Sequence, residues 1–275
     1  MGAPDVPVQR VFNECSTHRN GQPTMKIVVI GGTGLIGSQL CKNLQALGHE
    51  TLAASPSTGV NVISGEGLLD ALNNADVVVD VANSPSFEDH AALHFFETAG
   101  KNLLAAEKVN GIRHHVALGV VGTERMLDSG YFRAKMAQEK LIKASGIPYS
   151  ILRATQFFEF ISAIAFSGRE DGDTIHLNCA ALQPVASIDV AAALTDIALK
   201  MPSNQTVEVA GPERLPLVEF VSEYLKHIKD PRQAVSDGTV PYFGAPIDDQ
   251  SLTPGDNTIL GTTSFESWLK NATHG

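Results

Sequence analysis

The stretch that most constrains this chain is KIVVIGGTGLIG, residues 26–37. Ile27, Val28, Val29 and Ile30 form an unbroken β-branched run, the pattern of a strand buried on both faces of a parallel sheet. Gly31, Gly34 and Gly37 follow at three-residue spacing, and the pattern then turns helical through Leu40, Leu44 and Leu47. In such a turn Gly31 permits the tight bend, Gly34 lets a pyrophosphate approach the backbone, and Gly37 lets the helix pack closely on the strand. Around Thr33, Leu35 and Ile36 the helix start offers unpaired N–H groups and the positive end of its dipole to phosphates. A glycine triplet alone is weak evidence. With a strand before it and a helix after it, the triplet reads as a dinucleotide site rather than an ordinary βα turn.

Composition sets the outer limits. A chain of 275 residues can bury one large α/β domain, or one domain with a smaller lobe. The net charge of −10, with no basic cluster, argues against nucleic acid and anionic membrane surfaces as partners. No apolar run approaches a membrane span. Cys15, Cys41 and Cys179 are odd in number and lack metal-ligand spacing, which fits a reducing compartment, the cytoplasm. Residues 1–24 contain no apolar signal-peptide core and carry Pro4, Pro7, Gly21 and Pro23, so they read as a flexible extension.

Beyond the first helix, Gly48 is a usual stop and 50–54 is a second strand. In this architecture an acid at the end of that strand selects NAD. Here the end reads Ala54-Ser55-Pro56-Ser57-Thr58-Gly59, without an acid and without an arginine. The hydroxyls of Ser55 and Ser57 suit a 2′-phosphate, so NADP is favoured over NAD. A short third strand is expected at 61–63, a short helix at 66–73 and a fourth strand at 76–82. Ala82, Asn83 and Ser84 then lie at the ligand-binding edge, and Ser86 is expected to cap a helix reaching Val109 and closed by Gly111. His90, His94 and Glu97 share a face of that helix. Without a further ligand or an HExxH arrangement they read as a solvated or interface face, and no metal is expected.

A fifth strand at 113–120 places His114 and His115 on opposite faces. The helix opened by Asp128 and Ser129 carries Tyr131 and Lys135 at i and i+4, with Ala134, Ala137, Leu141 and Ala144 as its core-facing stripe. An ammonium beside a phenol stabilises the phenolate, so the tyrosine pKa is expected to fall towards neutrality. Such a tyrosine exchanges a proton with a carbonyl or alcohol while a nicotinamide exchanges a hydride. The bland alternative is a solvated helix face. A sixth strand at 149–153 completes the alternation of a doubly wound parallel sheet, an α/β Rossmann fold. This divides the chain into a cofactor-binding core at 25–155 and a C-terminal substrate lobe at 156–275 that partly completes the sheet.

Three segments carry a resemblance: GGTGLIG at 31–37, DVVVDVANS at 76–84 and SGYFRAKMAQEKLIKASGIPYSILRATQFFEF at 129–160. Through them residues 25–270 resemble the short-chain dehydrogenase/reductase superfamily, most closely its atypical, NmrA-like branch. The resemblance implies strand order 3-2-1-4-5-6 and a smaller C-terminal lobe. It also implies that Tyr131 and Lys135 match the family's active pair, with Lys135 on the nicotinamide ribose. Thr155, Gln156 and Phe157 match the segment near the nicotinamide. One departure stands out: active members carry a serine at the end of the fifth strand, where this chain has Gly119, and Thr123 or Ser129 are the candidate substitutes. Three functions remain open. The first is an NAD(P)H-dependent reductase of a carbonyl or quinone-like small molecule. The second is a non-catalytic redox sensor contacting a protein partner, or a homodimer in either case. The third is an isomerase or epimerase using the same cofactor.

Overall fold

The structure, a computed structural model, describes residues 24–272. The expected N-terminal extension therefore lies outside the described residues apart from Thr24. The first half alternates strand and helix: β1 Lys26–Ile30, α1 Leu35–Ala46, β2 Glu50–Ala54, α2 Leu68–Leu72, β3 Val77–Asp80, α3 Asp89–Asn110, β4 His114–Val120, α4 Gly130–Ala144 and β5 Tyr149–Ala154. The second half runs α5 Ile161–Phe166, β6 Arg169–Asp171, β7 Thr174–Leu177, β8 Ala181–Leu182, α6 Ser187–Ala198, β9 Thr206–Ala210, β10 Leu215–Pro216, α7 Leu217–His227, β11 Gln233–Ser236, β12 Thr258–Leu260 and α8 Phe265–Ala272.

Seven strands form one sheet in the order β12-β9-β5-β4-β3-β1-β2, every pair parallel. From β1 the chain steps outward to β2 and then crosses to β3 on the other side of β1. That reversal opens a crevice at the carboxyl ends of β1 and β3, where ligands bind in such sheets. The period of two along β1 explains why both faces are covered. Ile27 and Val29 enter the layer of Leu40, Leu44 and Leu194, while Val28 and Ile30 enter that of Leu72 and Leu103.

The second half both extends this sheet, through β9 and β12, and builds a lobe beside it. The lobe holds the three-stranded sheet β11-β7-β6 and the pair β10-β8. Its core gathers Phe158, Phe220 and Phe265 around α5, α7 and α8.

Two local expectations fail. Residues 61–63 are a turn, so the outermost strand of the implied order is missing and β2 is the edge. Asn61 Oδ1 accepts the Ile63 N–H at 2.9 Å, a side-chain turn that competes with strand pairing. Gly65 and Gly67 follow at positive φ. The next helix begins at Asp89 rather than after Ser86, because the Glu88 carboxylate accepts the Ala91 N–H at 2.9 Å and caps it.

Among the described residues no helix is long and apolar enough to cross a membrane. No group of three or more His, Cys, Asp or Glu there is arranged to hold a metal ion. His114 and His115 are both buried, on Ser150 Oγ at 2.9 Å and Glu107 Oε1 at 2.7 Å respectively.

Candidate active site

The glycine turn is dictated by contact. Gly31 has φ +78°, and a Cβ there would stand 2.9 Å from the Ala82 nitrogen, so the turn lies directly against the chain leaving β3. A Cβ on Gly37 would overlap Gly31 O and stand 2.7 Å from Gly32 Cα. This helix glycine therefore packs on the turn itself. Gly32, which the three-residue spacing passes over, is equally constrained, since its Cβ would be 2.6 Å from Ala53 Cα. Gly34 differs. Its φ is −78°, and a Cβ there would meet only Gly31 O, at 3.3 Å. The protein leaves that position open.

Around Gly34 the backbone presents donors. The Gly34 N–H donates to Gly31 O at 3.0 Å and the Ser38 N–H to Gly34 O at 2.9 Å. No side chain caps α1 and its first turn holds no acid, so the amides of Leu35, Ile36 and Gly37 are the unpaired donors of a helix start. Thr33, Gly34 and Leu35 are exposed. A cradle with room at Gly34 and amides facing solvent fits a pyrophosphate.

At the end of β2 the hydroxyls first serve the loop. The Ser55 N–H donates to Thr58 Oγ1 at 2.9 Å, and the Ser55 and Ser57 hydroxyls pair at 2.8 Å. Ser55 is buried and Ser57 exposed, which leaves Ser57 as the accessible hydroxyl beside a loop without carboxylates.

Tyr131 and Lys135 lie at the same edge of the sheet but do not touch each other. The Tyr131 hydroxyl donates to Asn83 Oδ1 at 3.0 Å. Its ring is packed by Phe87, Phe96 and Phe132, with centroids 5.2, 6.1 and 5.9 Å away. Burial pushes the phenol pKa up to about 12, against the opposing pull of the Asn83 hydrogen bond. This reverses the expected fall. The reason is the ammonium's position: Lys135 Nζ donates to Leu118 O at 2.9 Å and to Gln138 Oε1 at 2.5 Å, and lies 4.5 Å from the Phe96 ring centroid. Gln138 in turn donates to Asp80 Oδ2 at 2.9 Å, and Asp80 Oδ1 accepts the Ala82 N–H at 3.1 Å. Burial draws the Lys135 pKa down to about 8, with Asp80 and Glu139 opposing.

The buried face of α4 thus carries Phe132, Ala134, Lys135, Gln138, Glu139 and Ile142, while Ala144 is exposed. The expected alanine stripe holds in part, with Ala134 buried, Ala137 and Leu141 half-buried and Ala144 exposed, because the polar groups beside it find partners on the sheet and share the buried face. Glu139 receives a forked pair from Arg153 of β5, Nε to Oε1 at 2.8 Å and Nη2 to Oε2 at 2.9 Å.

Gly119 faces that ion pair. A Cβ there would stand 2.9 Å from Arg153 Cγ and 3.1 Å from Glu139 Oε1, so a serine would meet the pair and not the Tyr131 crevice. Thr123 does not substitute. It is fully buried and its hydroxyl donates to Val120 O at 2.5 Å. Ser129 sits at the start of α4 with no side-chain capping bond, and no hydrogen bond joins it to Tyr131.

At the end of β5, Thr155 is buried and its Oγ1 has no hydrogen-bond partner. Gln156 O accepts the Val185 N–H at 2.8 Å, and its side chain hydrogen-bonds the Tyr242 phenol. The Phe157 ring lies 6.0 Å from that of Phe160. These contacts tie the segment to the C-terminal lobe. The residues that sequence reasoning passed over are Gly32, Asp80 and Gln138. Asp80 is the one charged residue of VVVD, and a charge ending a buried strand is the signal that marks it.

Residues 31–200 match the family described as NAD(P)H-binding. The photosystem II assembly factor Ycf39 of Cyanophora paradoxa is 28% identical over 150 residues, 49% of this chain and 46% of that protein. The phenylcoumaran benzylic ether reductase IRL1 of Ginkgo biloba is 27% identical over 157 residues, 48% of this chain and 49% of that protein. The chain spans about half the length of the curated relatives it matches. Among solved structures, dTDP-4-dehydrorhamnose reductase of Bacillus anthracis, in complex with NADP, superposes with TM-score 0.66 at 13% identity, over 91% of this chain and 98% of that one. UDP-N-acetylglucosamine 4-epimerase of Bacillus cereus superposes with TM-score 0.62 at 20% identity, over 78% of this chain and 86% of that one. Both share the Rossmann-type fold.

Proposed function

The chain belongs to the NAD(P)H-binding family, and from that premise we propose that it is an NADPH-dependent reductase of a carbonyl or quinone-like small molecule, with Tyr131 as proton donor. One observation carries the reading. Ala82 abuts Gly31, and the next residue, Asn83, accepts the Tyr131 hydroxyl at 3.0 Å, so the phosphate turn and the phenol border one crevice. The bound nucleotide supplies a hydride. Tyr131, kept protonated at neutral pH by burial, supplies the proton that completes an alcohol. Lys135 is buried with two of its three ammonium donors on Leu118 O and Gln138 and the group beside the Phe96 ring, so its assignment to a nicotinamide ribose hydroxyl rests on the family resemblance. The acid-free end of β2 and exposed Ser57 support NADP over NAD. The reductases among the relatives support the reaction class, the quoted motifs support placement in the NmrA-like branch, and the odd, unspaced cysteines support a reducing compartment, the cytoplasm.

A second reading has its own support. The Tyr131 proton is directed at Asn83, the phenol pKa is raised, and a relative is named an assembly factor. These favour a chain that binds the nucleotide without turnover and contacts a protein partner. NADPH oxidation against a panel of quinones, ketones and aldehydes separates the two. The reductase reading expects NADPH-dependent consumption of at least one class. Tight NADPH binding with no consumption on any of them moves the assignment to the second reading.

A further inference from the structure

The carboxamide of Asn83 has a fixed orientation. The Ser84 N–H donates to its Oδ1 at 3.0 Å, and a backbone N–H accepts nothing, so this end of the group is the oxygen. The Tyr131 hydroxyl donates to the same atom at 3.0 Å. With Oδ1 engaged twice, Nδ2 is the free end of an exposed side chain, and among the described residues no acceptor takes its N–H groups. The Tyr131 hydroxyl and the Asn83 carboxamide therefore stand side by side at the crevice, the phenol proton held on Oδ1 and the Nδ2 hydrogens unengaged among the described residues. No β4 hydroxyl competes for that place, since position 119 faces Arg153 and the Thr123 hydroxyl is bound to Val120 O.

We propose that Asn83 supplies the carbonyl-binding donor of this site, with Nδ2 hydrogen-bonding the substrate's carbonyl oxygen while Oδ1 holds the Tyr131 hydroxyl until its proton passes to that oxygen. This rests on the reductase reading above. A bound NADPH would supply the hydride to the carbonyl carbon and be left as NADP⁺, and the C=O π pair would move onto oxygen. The Tyr131 O–H bond breaks towards that oxygen, an alcohol forms, and the phenolate is reprotonated from water. A preorganised N–H aimed at the developing oxyanion is the kind of group whose removal slows such reactions most. The substrate class that follows is a ketone, aldehyde or quinone with an accessible oxygen. An isolated C=C bond, with no conjugated carbonyl, has no oxygen to engage this donor.

The test uses the full chain with two readouts. The first is NMR of ¹³Cζ-labelled tyrosine at neutral pH, with Tyr131 identified by its loss in Tyr131→Phe. Asn83→Ala should move that resonance and leave the other tyrosines in place; an unmoved resonance overturns the pairing and the proposal with it. The second is NADPH oxidation with 9,10-phenanthrenequinone and aromatic aldehydes. Asn83→Asp keeps an acceptor for Ser84 and Tyr131 but deletes the N–H donors, and should lower kcat by roughly 10²–10³-fold at saturating NADPH. Asn83→Ala, which is neutral, should show a comparable loss and so exclude a charge effect. Wild-type kcat in Asn83→Asp overturns the donor role. A wild-type chain that binds NADPH yet reduces none of these carbonyls overturns the reductase reading and, with it, the donor role, whatever the resonance does.

Discussion

The glycine turn and the Tyr131 crevice share one edge of the sheet but are held in different ways. The turn is built from backbone. Gly31, Gly32 and Gly37 each sit where a single added carbon would strike main chain, and the contacts come from residues within a few positions or from the neighbouring strands. The crevice is built from side chains reaching across the fold. Lys135 leans on Leu118 and Gln138, Gln138 on Asp80, and Tyr131 on Asn83. The first arrangement is rigid before any ligand arrives. The second depends on side chains that fix one another, Lys135, Gln138 and Asp80 in one buried chain and Tyr131 on Asn83 beside it, so its chemistry is tunable and its failures propagate.

Substitutions at the two regions should therefore fail differently. Gly37→Ala forces a methyl into Gly31 O and the Gly32 backbone, and should destabilise the fold by roughly 1–3 kcal/mol or more, read by urea denaturation. Gly119→Ser should destabilise by a similar or smaller amount, because its side chain meets Arg153 and Glu139. It should not speed reduction, and a faster Gly119→Ser enzyme would place the oxyanion donor on β4 after all. Gly34→Ala sharpens the contrast within the turn. Its Cβ meets only Gly31 O at 3.3 Å, so stability should stay near wild type, while NADPH affinity measured by calorimetry should fall by about tenfold, or 1.4 kcal/mol.

A different readout of the crevice is its pH dependence. Burial lowers the Lys135 pKa from 10.5 to about 8, so the folded chain releases this proton before the unfolded chain does. Between those values the unfolded state binds more protons, and the contribution of Lys135 to stability rises with pH there and is lost as pH falls through about 8. Denaturation of wild type and Lys135→Met across that window should differ in slope, with the rise absent from the variant. Equal slopes would remove Lys135 from the buried network.

The same contrast decides what could be read beforehand. The strand and its glycines lie together in sequence and their constraint is steric, so residues 26–37 announced the fold and marked where a cradle for an anion is proposed. The strand-helix alternation foretold β1 to β5 of the seven-stranded sheet, while β9 and β12 were expected only as a lobe that partly completes it. The strand at 61–63 failed because three apolar-leaning residues cannot outweigh an Asn61 side chain that closes a turn on Ile63. The buried face of α4 was read only in part because Lys135, Gln138 and Glu139 count as surface residues until Asp80 and Arg153, far off in sequence, are seen opposite them. The tyrosine pKa went wrong for the same reason. An i, i+4 spacing shows that two side chains share a face, but Leu118 O and Gln138 decided where the ammonium would point.

The claim that one crevice joins nucleotide binding to proton donation is tested most directly by Tyr131→Phe. Calorimetry with NADPH and steady-state reduction of a quinone or aldehyde, run on the same preparations, give both halves. The account predicts NADPH affinity close to wild type and kcat reduced by roughly 10²–10⁴-fold, the usual worth of a positioned general acid. A Tyr131→Phe chain that reduces the same carbonyl at the wild-type rate would contradict it.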